Sequence, residues 1–256
     1  MKIFVATHKK VDSFPKDNIY IPLQVGAALH DKLYDFTDDT GNNISEKNPN
    51  YCELTGYYWI WKNYTDDVVG LIHYRRYFTT YPGYLLKLFT GSNNGYMRRN
   101  DIEKDLLNHD VIVAVKTTCR NSGPNVYEAY CSDHKKKDID DFLEILDALY
   151  PEYHDDAVKV FNDDIFYIAN MMICRKKVFD AYSEWLFSIY DELEKRVDFT
   201  DYDDYQKRMY GFLSERVFRI WLIHNNMRIR ERHMINTEDR SIWGMALNYM
   251  KTGKIR

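Results

Sequence analysis

The sequence predicts an α/β protein in which a mostly parallel sheet is flanked by helices. Three short apolar runs, at residues 3–7, 68–73 and 110–115, are each bounded by polar residues and are typical of buried strands. Segments with helical spacing of apolar residues alternate with these strands, a pattern of parallel strands joined by crossover helices. No internal repeat or low-complexity linker interrupts the 256 residues, so we expect a single domain over 1–256.

The first part of the chain begins with a strand from Ile3 to Thr7. Residues 21–30 are apolar enough for a helix or for a loop that lines the sheet, and residues 37–50 form a polar loop rich in turn-forming residues. A helix is predicted from Tyr51 to Asn63, and the strand at 68–73 follows it.

The second part begins with residues 79–100, which are rich in Gly, Asn and Tyr and are expected to include a mobile segment. The basic residues after Arg228 predict a basic tail over 228–256. The other elements follow from apolar spacing and from Pro151: strands at 110–115 and 166–174, and helices at 138–150, 176–196 and 206–226.

Composition excludes several classes of protein. The net charge of −4 argues against nucleic-acid binding, which needs a basic field. Aromatic residues make up 16% of the chain, with 22 Tyr, which favours a carbohydrate site or reflects a compositional bias. The four Cys form no CxxC pair, and no apolar run is long enough for a membrane span or a secretory signal. We therefore expect a cytoplasmic protein, with peripheral contact between its basic tail and the anionic inner leaflet left open.

The most informative stretch is the end of the strand at 68–73, where His73, Arg75 and Arg76 alternate with aromatic residues. Ligands of open α/β sheets bind outside the carboxyl ends of the strands. Two guanidinium groups can hold a diphosphate there through paired, charge-assisted hydrogen bonds. The alternative is that both arginines extend into solvent or pair with nearby carboxylates.

Common catalytic motifs are absent. The chain has no GxGxxG, GxxxxGK[ST], GxSxG or HExxH, which argues against dinucleotide oxidoreductases, P-loop kinases, common hydrolases and zincins. Its two Asp-x-Asp pairs, at 138–140 and 201–203, do not follow strands and are interpreted as structural. Arginines supply both charge and hydrogen-bond donors to a leaving diphosphate, so we expect no metal site and no requirement for a divalent metal.

A general base for transfer to a hydroxyl has to be a carboxylate within hydrogen-bond reach of that hydroxyl. Glu215, in the segment 211–216 at the front of an amphipathic helix, is the first candidate. It is alternatively an ordinary first-turn acid, or the partner of Arg216 or Arg219. Asp163 and Asp164 are second candidates, which helix capping or solvation explains equally well.

Several blocks together resemble one family: residues 4–9, 21–27, 48–63, 70–78, 167–173 and 211–216. This family is the bacterial capsular and exopolysaccharide synthesis family long described as a domain of unknown function, with members identified as galactofuranosyltransferases. The resemblance implies a GT-A-like nucleotide-binding fold and an inverting transferase. It further implies UDP-galactofuranose as donor and a lipid-linked glycan as acceptor.

The resemblance and the strand ends together predict a donor site. Residues after the first strand flank the nucleotide, a polar loop closes on uridine or sugar, the arginine stretch binds diphosphate, and aromatic and amide side chains shape the sugar pocket. Two alternatives stay open: a different nucleotide-sugar enzyme, and a non-catalytic glycan- or RNA-binding module. The predicted donor-binding residues are Thr7, His8, Lys9, Asp39, Asn43, Glu53, Tyr58, Trp59, His73, Arg75, Arg76, Asn170 and Arg216.

Overall fold

The computed structural model describes residues 1–11 and 14–242, and within them a mixed sheet of eight strands is covered by helices. The strands are β1 (Lys2–Thr7), β2 (Tyr20–Gln24), β3 (Phe36–Thr37), β4 (Val68–His73), β5 (Arg76–Thr79), β6 (Val111–Ala114), β7 (Thr117–Thr118), β8 (Ile165–Phe166), β9 (Met172–Arg175) and β10 (Ile229–Asn236). Strands β7 and β8 form a separate two-stranded sheet.

Nine α-helices lie in the same described ranges, together with five short 3-10 helices. The α-helices are α1 (Asn48–Tyr51), α2 (Leu54–Asn63), α3 (Tyr81–Thr90), α4 (Arg99–Asn108), α5 (Val126–Asp133), α6 (Lys136–Leu149), α7 (His154–Asn162), α8 (Lys176–Leu193) and α9 (Met209–His224). The 3-10 helices are Ala27–Leu29, Ser45–Lys47, Pro151–Tyr153, Phe199–Asp201 and Gln206–Arg208.

The α/β class is confirmed, but the sheet is mixed rather than mostly parallel. Strands β3, β2, β1 and β4 are parallel neighbours, whereas β9 runs antiparallel to both β4 and β6. Strand β10 is parallel to β6 and antiparallel to β5. The chain reverses after β4 through the two residues Tyr74 and Arg75, so β5 pairs antiparallel at His73 and Arg76. A parallel neighbour needs a long crossover, which this turn does not provide.

Both faces of the sheet are buried, which explains the continuous apolar runs of β1 and β4. In β1, Phe4 and Ala6 belong to the larger core, together with residues of α2, α8 and α9. Ile3 and Val5 point to the other face and belong to a second core that includes Ile102 of α4. This alternation follows from the period of two residues in a strand.

Three expected elements differ from the structure in the first part of the chain. The segment 21–30 is strand β2 followed by a 3-10 helix, rather than one helix or loop. The helix expected at 51–63 is divided at Cys52, whose φ of 53° lies in the left-handed region and ends α1. The segment 79–100 contains helix α3, which the Thr80 side chain caps through the backbone N–H of Gly83.

Two further differences lie later in the chain. The segment 166–174 is not one strand, because 167–171 separates β8 from β9 and has left-handed backbone at Ala169 and Asn170. The first part of the expected basic tail is strand β10, which lies between β5 and β6, and residues 243–256 lie outside the described residues. In the part of the chain that the structure describes, no helix combines the length and apolarity needed to cross a membrane.

Candidate active site

A cavity of about 560 Å³, hereafter the main cavity, opens at the carboxyl ends of β1 and β4. Because β1 and β4 are parallel neighbours, the residues that follow them meet at one edge of the sheet. Gly211, Phe212 and Glu215 of α9 and the turn before α2 complete the walls. Seven of the residues predicted for the site line this cavity: Thr7, His8, Glu53, His73, Arg75, Arg76 and Glu215.

One wall of the main cavity is basic. His8, Arg75, Arg76 and Arg208 line it, and neither Arg76 nor Arg208 forms an ion pair with a carboxylate of the described chain. Arg208 donates from Nε to the Sγ of Cys52 at 3.3 Å. Burial, with Lys9 and Arg75 nearby, lowers the pKa of His8. The positive charge of Arg76 and Arg208, which no carboxylate of the described chain pairs, makes this wall suited to an anionic ligand.

Arg75 lies at the rim of this wall. Its Nη1 is 3.1 Å from Oε2 of Glu238, and both side chains are largely exposed, so this pair holds it weakly. The guanidinium also lies 5.2 Å from the ring centroid of Tyr74. Arg75 is therefore positioned without being strongly neutralised.

The floor of the cavity carries two carboxylates. Oε1 of Glu53 accepts a hydrogen bond of 2.8 Å from Nδ2 of Asn170 and lies 3.6 Å from Nε2 of His73. Burial by itself would raise the pKa of Glu53, but the neighbouring His73 and the hydrogen bond from Asn170 outweigh burial and lower this pKa. Glu53 is thus held as a carboxylate.

Glu215, in the second turn of α9, has a pKa that is shifted in the opposite direction from that of Glu53. Burial raises its pKa, and the charge of Glu53 adds to the rise. Its Oε1 accepts from the backbone N–H of Ala169 at 2.5 Å, and its Oε2 accepts from Nη1 of Arg216 at 2.8 Å. Each carboxylate oxygen therefore keeps further acceptor capacity. A partly buried carboxyl with a raised pKa at a cavity floor is a candidate general base.

The irregular segment 167–171 forms hydrogen bonds with both carboxylates, Glu53 and Glu215. Ala169 and Asn170 have φ values of 72° and 44°, which turn the backbone N–H of Ala169 towards Glu215 and the Asn170 side chain towards Glu53. The carbonyl of Ala169 lies 2.8 Å from Nε2 of His73. Left-handed backbone at two successive non-glycine residues is costly and is often kept at functional sites.

Asn170 itself lies behind the cavity wall. Its side chain also donates to the carbonyl of Gly211 at 3.0 Å and accepts from Oγ of Ser214 at 2.8 Å. Its carbonyl accepts from the hydroxyl of Tyr57 at 2.8 Å. These bonds connect the segment 167–171 with α2 and α9, so Asn170 orients Glu53 rather than lining the cavity.

The second candidates for the base lie elsewhere. Asp163 forms an ion pair of 2.6 Å with Arg219, and Asp164 forms a short ion pair with Arg120. Both are at the turn before β8, and neither lines the main cavity. A guanidinium beside each acid compensates its charge locally.

Some predicted donor-binding residues are core or loop residues. Trp59 is buried and packs edge-on against Phe4 at 5.6 Å, and Tyr58 packs on Phe187 of α8 at 5.1 Å. Asp39 and Asn43 line a neighbouring cavity of about 380 Å³. The structure does not bring these four residues into the main cavity.

Thr7 lines the main cavity away from its floor, and two other predicted residues, Lys9 and Arg216, do not line it. The hydroxyl of Thr7 donates to the carbonyl of Lys9 at 2.7 Å, which fixes the turn after β1. The ammonium of Lys9 lies 5.1 Å from the ring centroid of Tyr74. Arg216 supports Glu215 and lines a separate cavity of about 200 Å³.

Sequence reasoning missed Arg208, Cys52 and Phe212, all of which line the main cavity. Cys52 and Phe212 lie within the blocks 48–63 and 211–216 that carry the family resemblance, but Arg208 follows a polar loop and carried no signal of its own. Burial raises the pKa of the Cys52 thiol to about 11, so this thiol is protonated at neutral pH. No group of three or more metal-ligating side chains occurs among residues 1–11 and 14–242.

Comparison with known proteins shows the family to which this chain belongs. A search of curated proteins gives no match. The apo structure of the WbbM bifunctional glycosyltransferase is similar, with a TM-score of 0.82 and 31% sequence identity. The similarity covers 93% of this chain and 45% of the WbbM chain, so this chain spans less than half the length of that relative. The model of a domain of unknown function, DUF4422, matches residues 2–226, and the chain therefore belongs to this family.

Proposed function

We propose that this protein is an inverting glycosyltransferase that transfers a galactosyl unit, in the furanose form, from UDP to a hydroxyl of a growing surface polysaccharide. The observation that carries this proposal is the main cavity, where a basic wall faces the partly buried Glu215 carboxyl of raised pKa, and two arginines of that wall, Arg76 and Arg208, form no ion pair with a carboxylate of the described chain. The similarity to WbbM, described as a glycosyltransferase, supports the reaction class. The sugar, its ring form and a lipid-linked acceptor rest on the family resemblance.

In this mechanism the diphosphate of the donor binds Arg75, Arg76 and Arg208. Glu215 removes the proton of the acceptor hydroxyl while the hydroxyl oxygen attacks the anomeric carbon. The bond between that carbon and the β-phosphate oxygen breaks, and UDP leaves with its negative charge stabilised by the guanidinium groups. Because the arginines supply this charge, we propose that transfer needs no divalent metal. The reaction would take place on the cytoplasmic side of the membrane.

The first test is nucleotide binding by thermal shift, with UDP, GDP and ADP, each with and without EDTA. A ligand that binds only the folded state raises its stability by mass action, so a UDP-selective shift that survives EDTA is expected. The double variant Arg75→Ala/Arg76→Ala should lose this shift. The matched control is Arg98→Ala/Arg99→Ala, a second pair of adjacent arginines, which is exposed and outside the main cavity.

The second test separates a transferase from the alternatives. UDP release from UDP-galactofuranose is measured with and without a galactose-terminated oligosaccharide, and the product is identified by mass spectrometry. Transfer predicts release that depends on the acceptor and a product heavier by one hexose. Release without acceptor would favour another nucleotide-sugar enzyme, and glycan binding without any release would favour a binding module.

A further inference from the structure

A second cavity of about 390 Å³, hereafter the lysine cleft, lies against the main cavity and shares two lining residues with it. The shared residues are Tyr74 and Arg75, the two-residue turn between β4 and β5. This turn forms a thin partition, so a ligand in one cavity lies close to a ligand in the other. The proposed function assigns no ligand to the lysine cleft.

The cleft carries an excess of positive charge. Lys9, Lys10 and Lys16 line it, and none of these ammonium groups forms an ion pair within the described part of the chain. Its one acidic lining residue, Glu238, is already paired with Arg75. Three uncompensated lysines around a concave surface attract an anion, and a lysine ammonium binds phosphate as a point charge.

A second, independent observation concerns Tyr77, which lines the same cleft. Its side chain is only 3% exposed, and its hydroxyl has no hydrogen-bond partner among the residues that the structure describes. A buried polar group without a partner costs free energy and calls for a partner that the chain does not supply. Tyr74 and Tyr96 add aromatic surface, on which the apolar face of a sugar can pack.

We propose that the lysine cleft binds the phosphate of a phosphorylated acceptor, a glycosyl phosphate, while the donor occupies the main cavity. This proposal rests on the proposed transferase function for the role of the ligand as acceptor. Lys10 and Lys16 hold the phosphate, and the sugar lies on the tyrosine side of the cleft. The Tyr74–Arg75 turn then separates the two phosphate-bearing substrates and places its guanidinium between their negative charges.

The experiment uses galactose 1-phosphate as the probe and isothermal titration calorimetry of the protein saturated with UDP. The test variant is Lys10→Gln/Lys16→Gln. The matched control is Lys104→Gln/Lys159→Gln, which removes the same charge from two exposed lysines outside the cleft. We expect the test variant to weaken probe binding at least about tenfold, the effect of losing one charge-assisted hydrogen bond. UDP affinity and the control variant should be unchanged.

Several outcomes would overturn the proposal. Competition between the probe and UDP would place the probe in the main cavity. An equal loss of UDP affinity in the test variant would assign the cleft to the donor nucleotide. Equally tight binding of neutral methyl galactoside, or no binding of galactose 1-phosphate, would remove the role of phosphate.

A different outcome would separate the cleft from the proposed function. If wild-type protein binds the probe through Lys10 and Lys16 but does not bind UDP, the phosphate site in the lysine cleft is supported and the proposed UDP donor is wrong.

Discussion

Arginines occupy two contrasting surroundings in this protein. Beside α4, Arg232 binds Asp105 with two hydrogen bonds of 2.7 and 2.6 Å, and Arg230 lies 3.3 Å from the same carboxylate. In the main cavity, Arg208 donates to the thiol of Cys52 and lies 5.1 Å from the ring centroid of Phe212. The first group neutralises a buried charge of the chain, whereas the cavity arginine leaves its charge available. This contrast indicates where the chain stabilises itself and where it is built for an anionic ligand.

The largest expected effect is on catalysis. Glu215→Gln keeps the shape of the side chain and an acceptor for the backbone N–H of Ala169, but it removes the carboxylate that we propose as the base. A positioned general base contributes roughly 10²- to 10⁴-fold to a rate, so we expect kcat for transfer to fall by about this factor with UDP affinity retained. The measurement is initial-rate transfer together with a UDP titration.

The control for this prediction is Asp163→Asn, which removes a carboxylate that Arg219 holds outside the main cavity. Transfer should stay near the wild-type rate in this variant. The opposite result, with Glu215→Gln active and Asp163→Asn inactive, would move the base to the turn before β8.

The next largest effect is on stability and concerns the arginines that pair with Asp105. Asp105→Asn leaves Arg232 without its buried counter-ion, and breaking such a pair costs about 3 kcal/mol. We expect the free energy of unfolding, measured with denaturant, to fall by this amount while the UDP affinity of the folded protein is retained. A loss of UDP affinity without loss of stability would show that the two groups of arginines are not separate.

Arg208→Gln in the main cavity is the counterpart of Asp105→Asn, because it tests ligand binding rather than stability. Loss of one charge-assisted hydrogen bond to a phosphate should weaken UDP binding by about tenfold. The free energy of unfolding should change by less than about 1 kcal/mol, because no carboxylate of the chain loses its partner. The control is Arg120→Gln, which removes an exposed arginine paired with Asp164. Equal UDP affinity in the two variants would contradict the role of Arg208.

The sequence predicted one half of the site because that half follows from strand ends. His8 and His73 come after apolar runs that any α/β sheet would bury, and parallel neighbours bring their ends together. The position of Glu215 near the front of a helix predicts a candidate base, and the structure brings Glu215 to the main cavity, which His8 and His73 also line. These residues converge because local strand patterns and sheet topology are sufficient to position them.

The remaining features depend on long-range packing that local patterns do not encode. Strand β10 begins with the charged run 230–232 and resembles a basic tail, yet Arg232 is neutralised by Asp105 and Glu231 accepts from the hydroxyl of Tyr167 at 3.0 Å. The left-handed backbone at Asn170 has no glycine to signal it. Arg208 reaches the cavity only because the 3-10 helix before α9 packs near α1.

The smallest expected effect concerns pH and tests the coupling between the two floor carboxylates. In the proposed mechanism Glu215 acts as a base only when it is deprotonated, so transfer should fall as the pH decreases through its pKa. Because burial and the charge of Glu53 raise that pKa, this acid limb should lie at higher pH than the ordinary value for Glu, about 4.3. Glu53→Gln removes one of the two raising influences and keeps an acceptor for Asn170.

We therefore expect Glu53→Gln to move the acid limb of the kcat profile to lower pH, by less than about one unit, since burial of Glu215 remains. The measurement is kcat from pH 4 to pH 8, roughly the range in which shifted carboxyls titrate. The control Glu144→Gln removes an exposed carboxylate paired with Arg196 and should leave the limb in place. A limb that moves to higher pH, or that moves equally in the control, would mean that Glu53 does not act on Glu215 through its charge.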